Sequence, residues 1–253
     1  YFWAYQYRLG KEILIPYFRK NGVAIEKAEI VEIGCAEGGV LAALIENGGA
    51  FGLGTDIAEQ RLTNGQKINS QLALNIHLQK HDIFQDEIQD EWKSRFDLLI
   101  LRDVIEHLDN TKLALQNING FLNQNGKTLV SFPPYPSPYG AHQHTLKNFW
   151  GKLPFLQYLP DGLFEQAIKS GRKADIEEVR RLRQIQLTVD KFKTAALAAG
   201  FQIEKEDYYL LRPVFKMKFG MPELSINPIA SMPIIKDLFC LEATYLLSKN
   251  PNA

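Results

Sequence analysis

Val31-Glu32-Ile33-Gly34-Cys35-Ala36-Glu37-Gly38-Gly39 is a glycine-rich turn set between an apolar run and a helix-spaced one. The run before it, from Ala28, has the density of a buried strand, and GGVLAALIENG beyond it has helical spacing, so the segment reads as strand, tight turn, helix. Small residues at 34, 36 and 38 let a ligand approach the backbone, and the helix start offers unpaired N–H groups. A glycine turn also serves as a plain connection, so its meaning depends on its surroundings.

Working outward, residues 28–134 alternate short apolar runs with longer amphipathic ones, as βαβ units around a parallel sheet do. AFGLGTDI is a predicted second strand, AEQRLTNGQKINSQL a polar helix and IHLQKHDI a third strand. EIQDEWKS reads as a short helix, FDLLILRD as a buried fourth strand, NTKLALQNINGFL as a helix and GKTLVSFPP as a fifth strand stopped by prolines. Residues 133–160, rich in proline and aromatics, break the pattern and predict an inserted loop. Two charged or amphipathic helices follow, the second capped by Thr188 or Asp190. FQIEKEDYYLLRP and FCLEATYLLSK then predict an antiparallel pair at one edge of the sheet. The expected fold is α/β, a doubly wound, mostly parallel seven-stranded sheet in a single domain over 1–253. Its parts are a helical cover (1–27), a cofactor-binding core (28–134), an inserted lid or substrate region (135–187), and a C-terminal helix with the strand pair (188–253).

The bulk numbers bound the function. With 253 residues and 29 basic against 29 acidic side chains, the chain has room for one large core and no global charge to steer it to nucleic acid. Cys35 and Cys240 lie far apart, which disfavours a zinc knuckle, a redox motif or a disulfide framework. No apolar run approaches the roughly 20 residues of a membrane span, and the start lacks a signal-peptide layout, so a cytoplasmic location is expected.

A dinucleotide turn would carry Gly-x-Gly-x-x-Gly. Here Glu-x-Gly-x-Ala-x-Gly, with Ala36 for the middle glycine, resembles the first motif of class I S-adenosylmethionine-dependent methyltransferases. The segment Asp103-Val104-Ile105-Glu106-His107-Leu108 is similar to one common in their quinone, sugar and natural-product branch. Over about residues 28–134 the resemblance implies S-adenosylmethionine as cofactor and S-adenosylhomocysteine as product. It places Glu32, Gly34, Cys35, Ala36 and Gly38 around the methionine end. Asp56, about twenty residues on, has the position of a ribose acceptor, with a helix cap as the plainer role, and Ile57 lies beside it. The resemblance puts Asp82 and Ile83 at the adenine, Arg102 and Asp103 at the methionine moiety, and His107 in the loop that shapes the site.

His142 and His144 follow the fifth strand, where a neutral imidazole can take a proton from a hydroxyl acceptor. Either is a candidate base for O-methylation of a small molecule. Tyr135, Tyr139, Phe149, Trp150, Phe155 and Tyr158 are candidate walls of an acceptor pocket, and Phe2, Trp3, Tyr5 and Tyr7 a helical cover. The charged run 172–183 reads as a solvated helix face. No metal is assigned. In a rival reading, Asp103, Glu106, His107 and one of the two later histidines resemble the divalent-metal set of small-RNA terminal 2′-O-methyltransferases. A third reading is a cofactor-binding module without catalysis. The oligomeric state is left open, a homodimer included.

Overall fold

A computed structural model describes residues 1–232, 236 and 238–250. Its strands form one sheet in the order β3-β2-β1-β4-β5-β8-β6-β7. Five pair in parallel: β1 (Glu29–Ile33), β2 (Phe51–Asp56), β3 (Ile76–Lys80), β4 (Phe96–Arg102) and β5 (Leu122–Phe132). Strand order reverses between β1 and β4, which opens a crevice at their carboxyl ends. The predicted antiparallel pair is present as β6 (Phe201–Leu211) and β8 (Glu242–Lys249), but β8 lies inside the sheet, between β5 and β6. A two-residue β7 (Leu224–Ser225) borders β6 and brings the described strands to eight, one more than expected. Two residues are too few to show an alternating pattern.

Side chains of the central strands alternate between two layers. Leu98 and Ile100 pack beneath α1 (Phe2–Leu9), α2 (Ile15–Lys20) and α3 (Gly39–Glu46). Leu99 and Leu101 face α5 (Thr111–Asn119) and α8 (Val189–Ala198). Between α3 and α5 in the chain runs α4 (Glu59–Gln71). Asn110 caps α5 by accepting the Leu113 N–H, and Thr188, of the two predicted residues, caps α8 by accepting that of Lys191. The predicted helix EIQDEWKS is only a 3-10 turn, Asp90–Trp92. Buried Trp92 is its one anchor, and a single turn does not offset helix nucleation.

α1 and α2 are joined by a π-helical turn, Gly10–Leu14. The helix lies so close on α3 that a Cβ on Gly39 would sit 2.3 Å from the Trp3 carbonyl oxygen, and one on Gly10 2.7 Å from Ala43 Cβ. The N-terminal segment is thus packed tightly on α3, held also by Trp3 Nε1 donating to Asn69 Oδ1 at 3.1 Å. Residues 135–187 wrap α6 (Asp161–Ile168) and α7 (Lys173–Ile185) around a small core of Leu146, Leu156, Phe164, Ile168 and Val179. Among the described residues no helix is long and apolar enough to cross a membrane.

Candidate active site

The turn after β1 is pinned to the end of β2. Gly34 and Cys35 N–H groups donate to the Thr55 carbonyl at 2.7 and 3.0 Å, and Asp56 accepts the Ala36 N–H at 2.8 Å through Oδ2. Asp56 Oδ1 accepts the Ala58 N–H at 2.8 Å, and Ala58 is itself the residue preceding α4, so the carboxylate braces the turn rather than capping that helix. Gly34 has φ +73°, and a Cβ there would meet Val104 Cγ2 at 2.4 Å, so only glycine fits. Ala36 holds φ +50°, a left-handed conformation kept by these bonds. Gly38, φ +73°, opens α3. The Cys35 thiol is buried in the core, leaving only backbone atoms to face a ligand, and its carbonyl accepts Gln6 Nε2 at 3.1 Å. Nothing in the local pattern around Gln6 signals this clamp.

Two apolar side chains stand exposed after strands β2 and β3. Ile57 is 68% exposed next to Asp56, and Phe84 is exposed after β3. Ile83, expected to lie against the ligand, is instead packed into the core, its carbonyl accepting Asn117 Nδ2. Asp82 accepts the Phe84 N–H and organises that turn.

Below the turn, Glu32 is buried with one carboxylate oxygen lacking a hydrogen-bond partner. Burial pushes its carboxyl up to about 8; Arg102 and the Leu41 N–H oppose this, and Asp56 adds to it. Arg102 Nη1 lies 2.6 Å from Asp103 Oδ2, and Asp103 Oδ1 accepts Arg212 Nη2 at 2.8 Å. Arg212 Nε donates in turn to Glu242 at 2.6 Å. Burial alone would raise the Asp103 carboxyl, but the two guanidiniums hold it far below the usual range. Arg102 and Asp103, expected to reach for the ligand, are therefore first of all links in an ion-pair chain with Arg212 and Glu242, which the sequence reading missed.

Glu106, His107 and His142 form a second cluster at the same edge of the sheet. Glu106 is 2% exposed, and neither of its oxygens has a hydrogen-bond partner. The Nε2 atoms of His107 and His142 lie 3.7 and 3.8 Å from its Oε1. His107 Nδ1 bonds to Glu178 of α7, a residue of the run read as a solvated face. Burial pushes Glu106 up to about 8, with His107 opposing. Burial would lower His107, yet Glu178 and Glu106 raise it. His142 is pushed down to about 3 by burial and by the adjacent His107 and His144. His144 lies at the surface, its ring 5.7 Å from that of His142, and partial desolvation of that ring, with Arg212 and Lys218 nearby, lowers it.

The six aromatics of 135–158 line neither of the two main cavities among the described residues. Phe149, Trp150 and Tyr158 are exposed, Tyr135 is buried beside Ala141 and Leu182, and the local core uses Phe164 with aliphatic residues instead.

A doubly wound sheet with a small-residue turn, an acid closing β2 and a free apolar side chain beside it is an arrangement in which α/β proteins bind ligands at the carboxyl ends of their strands. The family model of a methyltransferase domain matches residues 31–128. That match covers well under half of the chain, and the fold of the whole is one that S-adenosylmethionine-dependent methyltransferases share. Its fold is that of an S-adenosylmethionine-dependent methyltransferase from Mesorhizobium loti, with a TM-score of 0.59 at 14% identity over 92% of this chain and 96% of that one. It is also that of PKMT2 from Rickettsia typhi, solved in complex with AdoHcy, at a TM-score of 0.53 and 18% identity over 90% and 50%. A ubiquinone biosynthesis O-methyltransferase of Coxiella burnetii is 26% identical over 109 residues, covering 43% of this chain and 45% of that relative. The match therefore spans less than half the length of the curated relative.

The residues fit the cofactor. The left-handed turn leaves no Cβ in the way at Gly34, Ile57 offers an open apolar face, and Glu32 keeps a buried acceptor without a donor.

Proposed function

We propose that this chain transfers the methyl group of S-adenosylmethionine to an oxygen of a small-molecule acceptor, leaving S-adenosylhomocysteine. The observation that carries the reading is the braced turn, Asp56 to Ala36, set at the same sheet edge as a buried Glu-His-His cluster. S-Adenosylmethionine supplies a sulfonium whose methyl carbon is open to in-line attack. The backbone of Gly34, Ala36 and Gly38 cradles the methionine end, Asp56 receives the ribose hydroxyls and Ile57 covers the adenine. Alignment supplies most of the rate in such a displacement. Both imidazoles are lowered, His142 to about 3, so alignment rather than a strong base carries the step, and the more exposed His144, able to release a proton to solvent, is the base we assign. The test is transfer of labelled methyl from S-adenosylmethionine to a panel of hydroxylated small molecules. Saturable S-adenosylhomocysteine binding with no product on any hydroxyl would overturn the assignment of an oxygen acceptor and favour a module without catalysis.

A second reading gives Glu106, His107 and His142 a divalent cation. Their donor atoms lie within 4.8 Å of one another, Glu106 has no other partner, and Glu178 on His107 Nδ1 leaves Nε2 to coordinate. A cation there would supply Lewis acidity that eases loss of the acceptor's proton. Turnover that survives exhaustive chelation, with no heat on titration of Zn²⁺ or Mn²⁺, excludes it.

A further inference from the structure

A cavity of about 310 Å³ lies between the N-terminal helix and α9 (Val214–Phe219), away from the braced turn: none of Gly34, Ala36, Asp56 or Ile57 lines it. We propose that it is the acceptor site, and that it takes a ring-sized apolar molecule carrying one anionic group. The claim rests on the methyl-transfer reading only in calling the occupant an acceptor.

Three observations carry it. The first is position: Arg102, Ser131 and Glu242 form the polar floor, and Arg102 is followed in the chain by Asp103 and Val104, the residue packed against Gly34. Arg102 also acts on Glu32 beneath the turn, so the floor runs from the cavity toward the place assigned to the cofactor's methionine end. The second is the wall. Ile13 and Leu14 come from the π-turn of the N-terminal helix, and such turns are rare and concentrate at functional sites. Leu129 and Val214 complete an apolar body of a size that holds one ring system and no polymer.

The third is charge. Exposed Lys20 and Lys216 stand at the rim, and neither forms an ion pair among the described residues. Of the two rim carboxylates, Glu12 is engaged by Arg8 at 2.8 Å, leaving Glu223. Arg102 and Glu242 in the floor are neutralised within their own chain of ion pairs. The mouth thus carries net positive charge above an apolar body, which selects a single anion at the outer end of the ligand.

The test uses 2-naphthoate and its neutral counterpart 2-naphthamide, titrated by fluorescence into the full chain at low salt, with S-adenosylhomocysteine binding measured in parallel. Naphthoate should bind saturably at one site and more tightly than naphthamide. Lys20→Gln with Lys216→Gln should weaken naphthoate roughly five- to tenfold, an effect lost at high salt, and leave naphthamide unchanged. Ile13→Trp, at a half-exposed position, should fill the cavity and abolish binding of both. Equal affinity for the two probes, or naphthoate binding indifferent to the lysine pair, overturns the proposal even if Ile13→Trp does not fold. S-Adenosylhomocysteine binding separates the two readings: its absence with naphthoate bound sinks the cofactor assignment alone, and its presence without naphthoate binding sinks the cavity alone.

Discussion

Arg212 Nη2 and Asp103 Oδ1, 109 positions apart in the chain, meet at 2.8 Å above the ends of β4 and β8. Through this contact the excursion after β6 is tied to the loop that shapes the candidate active site. Asp103 sits there with φ +52°, a left-handed conformation that aspartate adopts more readily than most residues.

Arg212→Met removes the central cation and leaves Glu242 without its partner. Losing one member of a buried pair costs several kcal/mol, and since Asp103 is nearly a third exposed and keeps Arg102, the expected loss is about 2 kcal/mol in urea unfolding. A carboxyl held low in the folded state stabilises above its unfolded pKa and loses that contribution as pH falls toward the folded one. The variant should therefore show a smaller decline of stability on acidification below about pH 4.

Gly34→Ala should be more disruptive than its size suggests. Its methyl group would overlap Val104, and φ is in the left-handed region, so stability should fall by about 1–3 kcal/mol. S-Adenosylhomocysteine affinity, measured calorimetrically, should fall at least tenfold even where the variant remains folded.

Asp56→Asn keeps the shape and replaces one acceptor oxygen by a donor. Both present oxygens accept backbone N–H groups, so one of the two bonds must break and the turn loosens. Cofactor affinity should drop on the order of tenfold or more; unchanged affinity would remove Asp56 from the binding site.

Glu32→Gln addresses pH dependence. A carboxyl raised to about 8 stabilises the fold fully below its unfolded pKa near 4.5, and that contribution is lost as pH rises toward 8. The amide does not titrate, so the variant should be flatter in stability between about pH 4.5 and 8 and relatively more stable at the alkaline end. A wild-type and variant difference that is constant across this window would show Glu32 to be ionised throughout.

Much of the molecule was legible from local pattern. The succession of β1 to β5 along the chain, the helix cap at Thr188 and the turn at 34–38 follow from the period of apolar residues and from backbone preferences that act over a few positions. EIQDEWKS shows the limit of such reasoning, because one buried Trp92 in an acidic stretch satisfies a pattern without stabilising a helix. Exposure was also misjudged in the insert, where the aromatics lie mostly at the surface and Leu156, Phe164 and Ile168 make the core.

The amino-acid sequence alone determined the sheet, the small-residue turn and the acid that braces it, since strand periodicity and left-handed turns depend on neighbours in the chain. Tertiary structure alone decided that Asp103 answers to two arginines, that Glu178 orients His107 across 71 positions, and that a cavity lies under the N-terminal helix. These depend on which distant segments cross at the sheet's carboxyl edge. Charge pairing and cavity shape are set by that crossing, which no local spacing encodes.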